Sequence, residues 1–120
     1  MTVMFPYPVS TNRYWRKFRG RMVVSSEANQ YKAVIALIWK NARLPLILDA
    51  PVHVMLSMHP KMTKQGKASN TRCDLDNQIK VIFDGLNGVA WTDDKQVHKL
   101  SAEIAHPVEG GGVSVRVVAL

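Results

Sequence analysis

The chain has 120 residues and a formal net charge of +7, from 16 lysines and arginines against nine aspartates and glutamates. This length and an apolar fraction of 47% predict one domain, residues 1–120, with a single hydrophobic core. The single cysteine, Cys73, excludes an internal disulfide and a cysteine-rich zinc site.

The net charge and the hydropathy pattern indicate the kind of partner and the location of the protein. Excess positive charge favours an anionic partner, because lysines and arginines that neutralise phosphates release counterions. No apolar run approaches the roughly 20 residues that span a bilayer, and residues 1–8 lack the pattern of a signal peptide. We therefore expect a cytoplasmic protein that does not act at a membrane.

The first half of the chain predicts two strands and a helix. Residues 1–7 read as a strand that ends at Pro6-Tyr7-Pro8, and residues 22–25 read as a second strand. Apolar residues at spacings of three and four predict an amphipathic helix over 27–42, with Trp39 buried on its apolar face.

A basic and aromatic segment, 10–21, lies between those two strands and is predicted to be a loop. Its sequence is STNRYWRKFRGR, which interleaves five basic residues with Tyr14, Trp15 and Phe18. Such a loop grips phosphates and stacks on unpaired bases, or it is a solvated basic loop whose aromatic side chains enter the core. Its basic residues are candidate DNA contacts: Arg13, Arg16, Lys17, Arg19 and Arg21.

The second half predicts three strands and a second helix. Alternation over 51–59 predicts a half-buried strand with His53 and His59 on its surface side, and a flexible loop over 60–70 carries Lys61, Lys64 and Lys67. That loop closes over a DNA backbone, or it is a solvated connector. A helix follows from residue 74 to the stop at Asn87-Gly88, and strands over 97–104 and 113–118 are predicted to pair as a hairpin. The fold class is α/β (α+β): a mixed sheet with two main helices in the order β-β-α-β-α-β-β.

The acidic residues are concentrated in 71–97, which holds five of the nine, four of them as the pairs Asp74/Asp76 and Asp93/Asp94. Hard divalent cations such as Mg²⁺ take carboxylate oxygens, so paired aspartates in a basic chain indicate a phosphate-cleaving metal site. Aspartates at a helix start also cap free amides and need no metal. On a helix Asp74 and Asp76 point about 200° apart, so both reach one metal only if Asp74 precedes the helix.

Other site types find no support in the sequence. An EF-hand loop that starts at Asp74 would need glycine where Ile79 stands and glutamate where Gly85 stands. Cys73 lacks a nucleophile signature around it, and the Gly triplet near the C-terminus opens no helix that would cradle a phosphate.

The spacing of the acidic segment resembles the signature of the RusA family of Holliday-junction resolvases. The resemblance rests on Asp74-Leu75-Asp76-Asn77 with Lys80, Asp84, Leu86-Asn87-Gly88-Val89 and Asp93-Asp94-x-Gln96-Val97. Two N-terminal runs also resemble the family, Pro8-x-Ser10-x-Asn12-Arg13-Tyr14 and Val24-Ser25-x-Glu27 with Tyr31. The likeness covers nearly the whole chain.

The resemblance implies an endonuclease of DNA recombination and repair, which acts as a homodimer and resolves four-way DNA junctions by two symmetric nicks. Its cofactor would be Mg²⁺, with Mn²⁺ as an alternative. Carried over by position, Asp74, Asp76 and Asp94 are the metal-binding catalytic carboxylates, and Lys80 is the basic residue of the site. Arg72 and Asn77 join the candidate DNA contacts beside the first aspartate pair.

Alternatives stay open at the level of residues and of function. Lys80 steadies the scissile phosphate or the attacking water, or it forms an intrahelical ion pair with Asp76 or Asp84. The chain as a whole is a junction resolvase, a non-catalytic branched-DNA-binding protein, or a nuclease that prefers another DNA structure.

Overall fold

The central strand of the fold follows from the alternating pattern of residues 51–59. In the computed structural model this strand, β4 (Val52–His59), buries Val52, Val54, Leu56 and Met58 under two helices. The structure describes residues 2–8, 15–18, 21–24, 26–68 and 75–120. For 15–18, 21–24, Asp76 and Asn77 it describes the backbone alone.

Five further strands, two α-helices and one 3₁₀ helix complete the described fold. The remaining elements, in chain order, are β1 (Val3–Phe5), β2 (Trp15–Phe18), β3 (Arg21–Val24), α1 (Ser26–Asn41), α2 (Leu75–Leu86), a 3₁₀ helix (Asp94–Gln96), β5 (Val97–Ile104) and β6 (Gly112–Ala119). A four-stranded mixed sheet has the order β1-β6-β4-β5, and β2 and β3 form a separate two-stranded sheet. The predicted α+β class is confirmed.

The segment predicted as a basic loop, 10–21, contains strand β2. Strand β2 pairs antiparallel with β3, so that Trp15 is opposite Val24 and Phe18 is opposite Arg21. Aromatic residues favour strands, and that preference was present in the segment beside its basic character.

The predicted hairpin of β5 and β6 is wrong. Both strands pair with β4, β5 in parallel and β6 antiparallel, so they lie on opposite sides of it. The physical reason is hydrophobic burial: β6 buries Val113 and Val115 and takes an interior place beside β1, whereas the more polar β5 stays at the edge.

His59 lies inside the structure and not on its surface as predicted. Its side chain is 6% exposed, with Nδ1 donating to the His106 carbonyl at 2.8 Å and Nε2 lying 2.8 Å from Ser114 Oγ. Both ring nitrogens therefore have partners, which offsets the cost of burying the ring.

Helix α1 packs its predicted apolar face onto the sheet. Ile35 and Trp39 are buried, and Trp39 meets the ring of Phe5 at a centroid distance of 6.3 Å. The Tyr31 hydroxyl donates to the Pro6 carbonyl at 2.7 Å, and burial raises the pKa of Tyr31. Among the described residues, no helix is long and apolar enough to cross a membrane.

Gly85 allows the two helices to approach closely. A Cβ atom at this position would overlap the side chain of the buried Ile35 and would lie 3.5 Å from the Cα of Lys32. Gly85→Ala normally stabilises a helix by about 1 kcal/mol, but overpacking costs about 1–3 kcal/mol. We expect the free energy of unfolding to fall by about 1 kcal/mol in urea denaturation. In an Ile35→Val background the same change should cost less, and an equal cost in both backgrounds would contradict the packing explanation.

Candidate active site

Helix α2 places the first group of candidate residues. Val81, Ile82 and Leu86 are fully buried, and this apolar face fixes the rotation of the helix on the core. The described helix begins at Leu75, so the backbone of Asp76 lies in its first turn. Asp74 and the side chain of Asp76 lie outside the described residues.

Lys80 lies one turn after Asp76 on the exposed side of α2. Its Nζ is 3.5 Å from Asp84 Oδ2, and the two side chains are 54% and 32% exposed. An exposed pair at this spacing is worth only about 0.3–0.5 kcal/mol. The ammonium group can therefore leave this pair at little cost when a phosphate approaches.

The second aspartate pair lies in the 3₁₀ helix that precedes β5. Asp93 is its N-cap, and Asp93 Oδ1 accepts from the Lys95 amide at 3.0 Å. This bond and the neighbouring Asp94 side chain hold the pKa of Asp93 below its usual value. Asp94 is the first residue of the 3₁₀ helix and is exposed. Asp93 thus has a capping role, while Asp94 faces solvent.

Gln96 fixes this turn to the body of the protein. Its Oε1 accepts from the amides of Thr92 and Asp93 at 2.9 and 3.0 Å. Its Nε2 donates to the carbonyls of Ile47 and Ala50, both at 3.0 Å. One side chain thereby joins both sides of the Asp93-Asp94 turn to the segment before β4. Gln96 was part of the sequence motif, but it had no predicted role.

Trp91 lies two residues before the Asp93-Asp94 turn and packs in the core. It is fully buried and meets Phe83 of α2 edge to face at 5.5 Å. The backbone around it is bonded on two sides, because Gly88 donates to the Trp91 carbonyl at 2.7 Å and Ile47 donates to the Ala90 carbonyl at 3.0 Å. The end of α2 and the start of the Asp93-Asp94 turn are therefore parts of one packed unit.

The described part of the predicted basic loop after β4, residues 60–68, contains a hydrogen-bonded turn. Thr63 accepts from the amides of Gly66 and Lys67 through its carbonyl and its hydroxyl, at 2.9 and 3.1 Å. Lys61, Lys64 and Lys67 are all exposed, and Lys61 Nζ lies 4.9 Å from the Tyr7 ring centroid. The turn presents three lysines to solvent in a defined backbone conformation.

The remaining predicted contacts lie outside the described side chains. These are Arg13, Arg16, Lys17, Arg19, Arg21, Arg72 and Asn77. Within the part of the chain whose side chains are described, no three His, Cys, Asp or Glu residues group closely enough to hold a metal ion. The structure thus places Lys80 beside Asp84 and Asp94 beside Asp93. Distances among all four catalytic candidates cannot be given, because Asp74 and the side chain of Asp76 lie outside the described residues.

A shallow depression of about 360 Å³ lies on the face of the sheet opposite the helices. Residues of β4 and β5 line it, and two cross-strand bonds lie at its floor: His53 Nε2 to Ser101 Oγ at 2.9 Å, and Ser57 Oγ to Glu103 Oε1 at 3.1 Å. Lys80 and Asp94, the two predicted catalytic residues whose side chains are described, do not line this depression.

Comparison with known proteins places the chain among DNA-cleaving enzymes. The family described as Endodeoxyribonuclease RusA matches residues 6–118. The chain belongs to this family.

Curated relatives agree along nearly the whole length. A crossover junction endodeoxyribonuclease RusA of Escherichia coli strain K12 is 38% identical over 112 residues, which is 92% of this chain and 87% of the relative. A protein of the same name from Shigella sonnei is 36% identical over 112 residues, with the same coverage of both chains. One from Enterobacteria phage 82 is 35% identical over 111 residues, 92% of this chain and 86% of the relative.

Proposed function

We propose that this chain is a structure-selective endodeoxyribonuclease that resolves Holliday junctions by paired symmetric nicks. The observation that carries the proposal is the family match over residues 6–118, which includes both aspartate pairs and Lys80. Relatives that span most of the chain are named for cutting crossover junctions. The proposed setting is DNA recombination and repair in the cytoplasm, with residues 1–120 acting as one domain.

The donor set suits a hard divalent cation. Asp74, Asp76 and Asp94 would hold Mg²⁺, with Mn²⁺ as an alternative, because carboxylate oxygens are the ligands that these ions prefer. The exposure of Asp94 on a turn held by Gln96 fits this role. The cation would activate water and neutralise charge on the scissile phosphate.

The remaining side chains bind and orient the DNA. Lys80 places a positive charge one helical turn from Asp76, where it would steady the scissile phosphate or the attacking water. Lys61, Lys64 and Lys67 are exposed and would contact phosphates of the backbone without reading sequence. Arg72, Asn77 and the basic residues of 10–21 complete the proposed DNA-binding surface.

Cutting a four-way junction at two symmetric positions requires two copies of the chain. A four-way junction has near two-fold symmetry and receives two cuts, whereas one chain of this size supplies one acidic site. We therefore propose a homodimer with an isologous interface.

One observation favours a second candidate, a non-catalytic branched-DNA-binding protein. Asp93 caps the 3₁₀ helix and so has a structural role that needs no metal. If the other aspartates were also structural, the chain would bind junctions without cutting them.

The decisive experiment incubates the purified protein with a mobile four-way junction, in Mg²⁺ or in EDTA, beside linear duplex of the same sequence. We expect paired symmetric nicks on the junction alone, and none in EDTA. Junction binding without nicks under any divalent metal would establish the binding protein instead. Equal cutting of flaps or single strands in the same assay would identify a nuclease of other preference.

A further inference from the structure

Strand β5 forms a long edge of the main sheet. The sheet order ends at β5, which has eight residues, whereas β1 at the other edge has three. Most of β5 is exposed, including Leu100 at 40% and Ile104 at 55%. An edge strand of this length presents a row of backbone donors and acceptors that pair readily with another strand.

The bonding of β5 to β4 shows which groups point outward. The Ala105 amide donates to the Met58 carbonyl at 2.8 Å, next to the parallel pair of Ile104 with Met58. Since successive residues of a strand turn their backbone groups to opposite sides, odd-numbered residues bond to β4. Leu100, Ala102 and Ile104 therefore direct their amides and carbonyls to the outer edge.

The sequence of β5 is complementary to itself about Ser101. In an antiparallel pairing with Ser101 on a two-fold axis, Lys99 is opposite Glu103 of the partner subunit. Leu100 is opposite Ala102 of the partner subunit, and these are the residues whose backbone groups point outward. The hydrogen-bond pattern allows this alignment, and the charge pattern selects it over the alignments shifted by two residues.

We infer that β5 is the homodimer interface and that it pairs antiparallel with β5 of a second copy about Ser101. The inference rests on the homodimer of the proposed function and assigns its location. A lone lysine on an edge strand opposes pairing, but in this alignment each Lys99 meets an opposite charge. Shifting the alignment by two residues would leave Lys99 opposite Ser101 or Ala105, so charge disfavours the neighbouring registers.

The two faces of the joined sheet are also compatible. Lys99, Ser101 and Glu103 share the open face with Met55 and Ser57, as their register with β4 shows. Leu100 and Ile104 lie on the helix-covered face, where Ile104 is opposite His98 of the partner subunit. Leu100 is opposite Ala102 of the partner subunit and lies diagonal to Ile104 of the partner subunit, a spacing that long side chains can bridge.

A charge-exchange experiment on the full-length protein tests the inference without DNA or metal. Sedimentation measures the dimer dissociation constant of the wild type, Lys99→Glu, Glu103→Lys and an equal mixture of the two variants. We expect each variant alone to weaken the dimer about ten- to a hundredfold, because both symmetric pairs become like-charged. The mixture should restore dimerisation, because every cross-strand pair is again of opposite charge.

A cysteine cross-link tests the alignment in the same way. In a Cys73→Ser background, Ser101→Cys should form an intermolecular disulfide under mild oxidation, because Ser101 and its copy form a non-hydrogen-bonded pair with Cα atoms about 4.5 Å apart. Ser26→Cys, exposed at the start of α1, is the control and should not cross-link.

The outcomes separate this inference from the proposed function. A dimer that both charge variants leave intact, or a mixture no more dimeric than its components, overturns the β5 interface and leaves the nuclease assignment untouched. A wild type that sediments as a monomer overturns the homodimer together with its interface.

Discussion

Asp76→Asn is expected to lower junction nicking at saturating Mg²⁺ by at least about a hundredfold, because loss of a neighbour to a metal ligand already costs about 10–100-fold. The substitution keeps the size of the side chain in the first turn of α2 and removes one carboxylate donor. Binding to the junction in EDTA should be unchanged or tighter, because one negative charge near the phosphates is lost. Single-turnover cleavage and gel-shift titration measure the two quantities separately.

Glu109→Gln is the matched control for Asp76→Asn. It removes the same charge from an exposed turn before β6 and should nick and bind like the wild type. Wild-type nicking by Asp76→Asn would remove this carboxylate from the proposed metal site. Lost binding with normal cleavage of the bound junction would show that Asp76 serves recognition and not chemistry.

Patterns that are local in the sequence predicted local structure well. The alternation of apolar residues fixes which side of β4 is buried, and the spacing of Ile82, Leu86 and their neighbours fixes the buried face of α2. Both inferences depend on periodicity, which is a property of neighbouring residues.

Structural features that depend on contacts between distant residues could not be predicted from periodicity. The partners of His59 are 47 and 55 residues away along the chain, so alternation alone placed its ring on the surface. The prediction of a hairpin between β5 and β6 was wrong for a related reason. The two strands are adjacent in sequence, which favours a hairpin, but the greater apolar burial of β6 places that strand between β4 and β1.

The acidic site was predictable in its residue types but only in part in their roles. Asp93-Asp94-Lys95-Gln96 has the spacing of a capping box, a signal present in the sequence that would have assigned Asp93 and Gln96 to the turn itself. The sequence could not predict the bonds from Gln96 to the carbonyls of Ile47 and Ala50, because these residues are more than 45 positions away along the chain. The site therefore depends on a contact between segments that no local motif contains.

Gln96→Met should raise the Mg²⁺ concentration for half-maximal nicking by about 10–100-fold, as expected for a residue that orients a metal ligand. Methionine keeps the length of the side chain but loses both bonds to the Thr92 and Asp93 amides and both bonds to the Ile47 and Ala50 carbonyls. Asp94 would then sample several positions, and excess metal should restore the maximal rate. Junction binding in EDTA should not change, since Gln96 is not among the proposed DNA contacts.

Three further variants decide whether Gln96 positions Asp94 or only stabilises the fold. Gln96→Glu keeps the acceptor for the two amides but turns a carboxylate toward two carbonyls, so it should weaken metal binding, measured directly with Mn²⁺ by electron paramagnetic resonance. Gln30→Met on the exposed side of α1 is the control and should behave as the wild type. A lowered melting temperature with an unchanged metal requirement would assign Gln96 to stability alone. A raised metal requirement that excess Mg²⁺ corrects, beside an Asp94→Asn variant that excess Mg²⁺ does not rescue, would establish that Gln96 acts through Asp94.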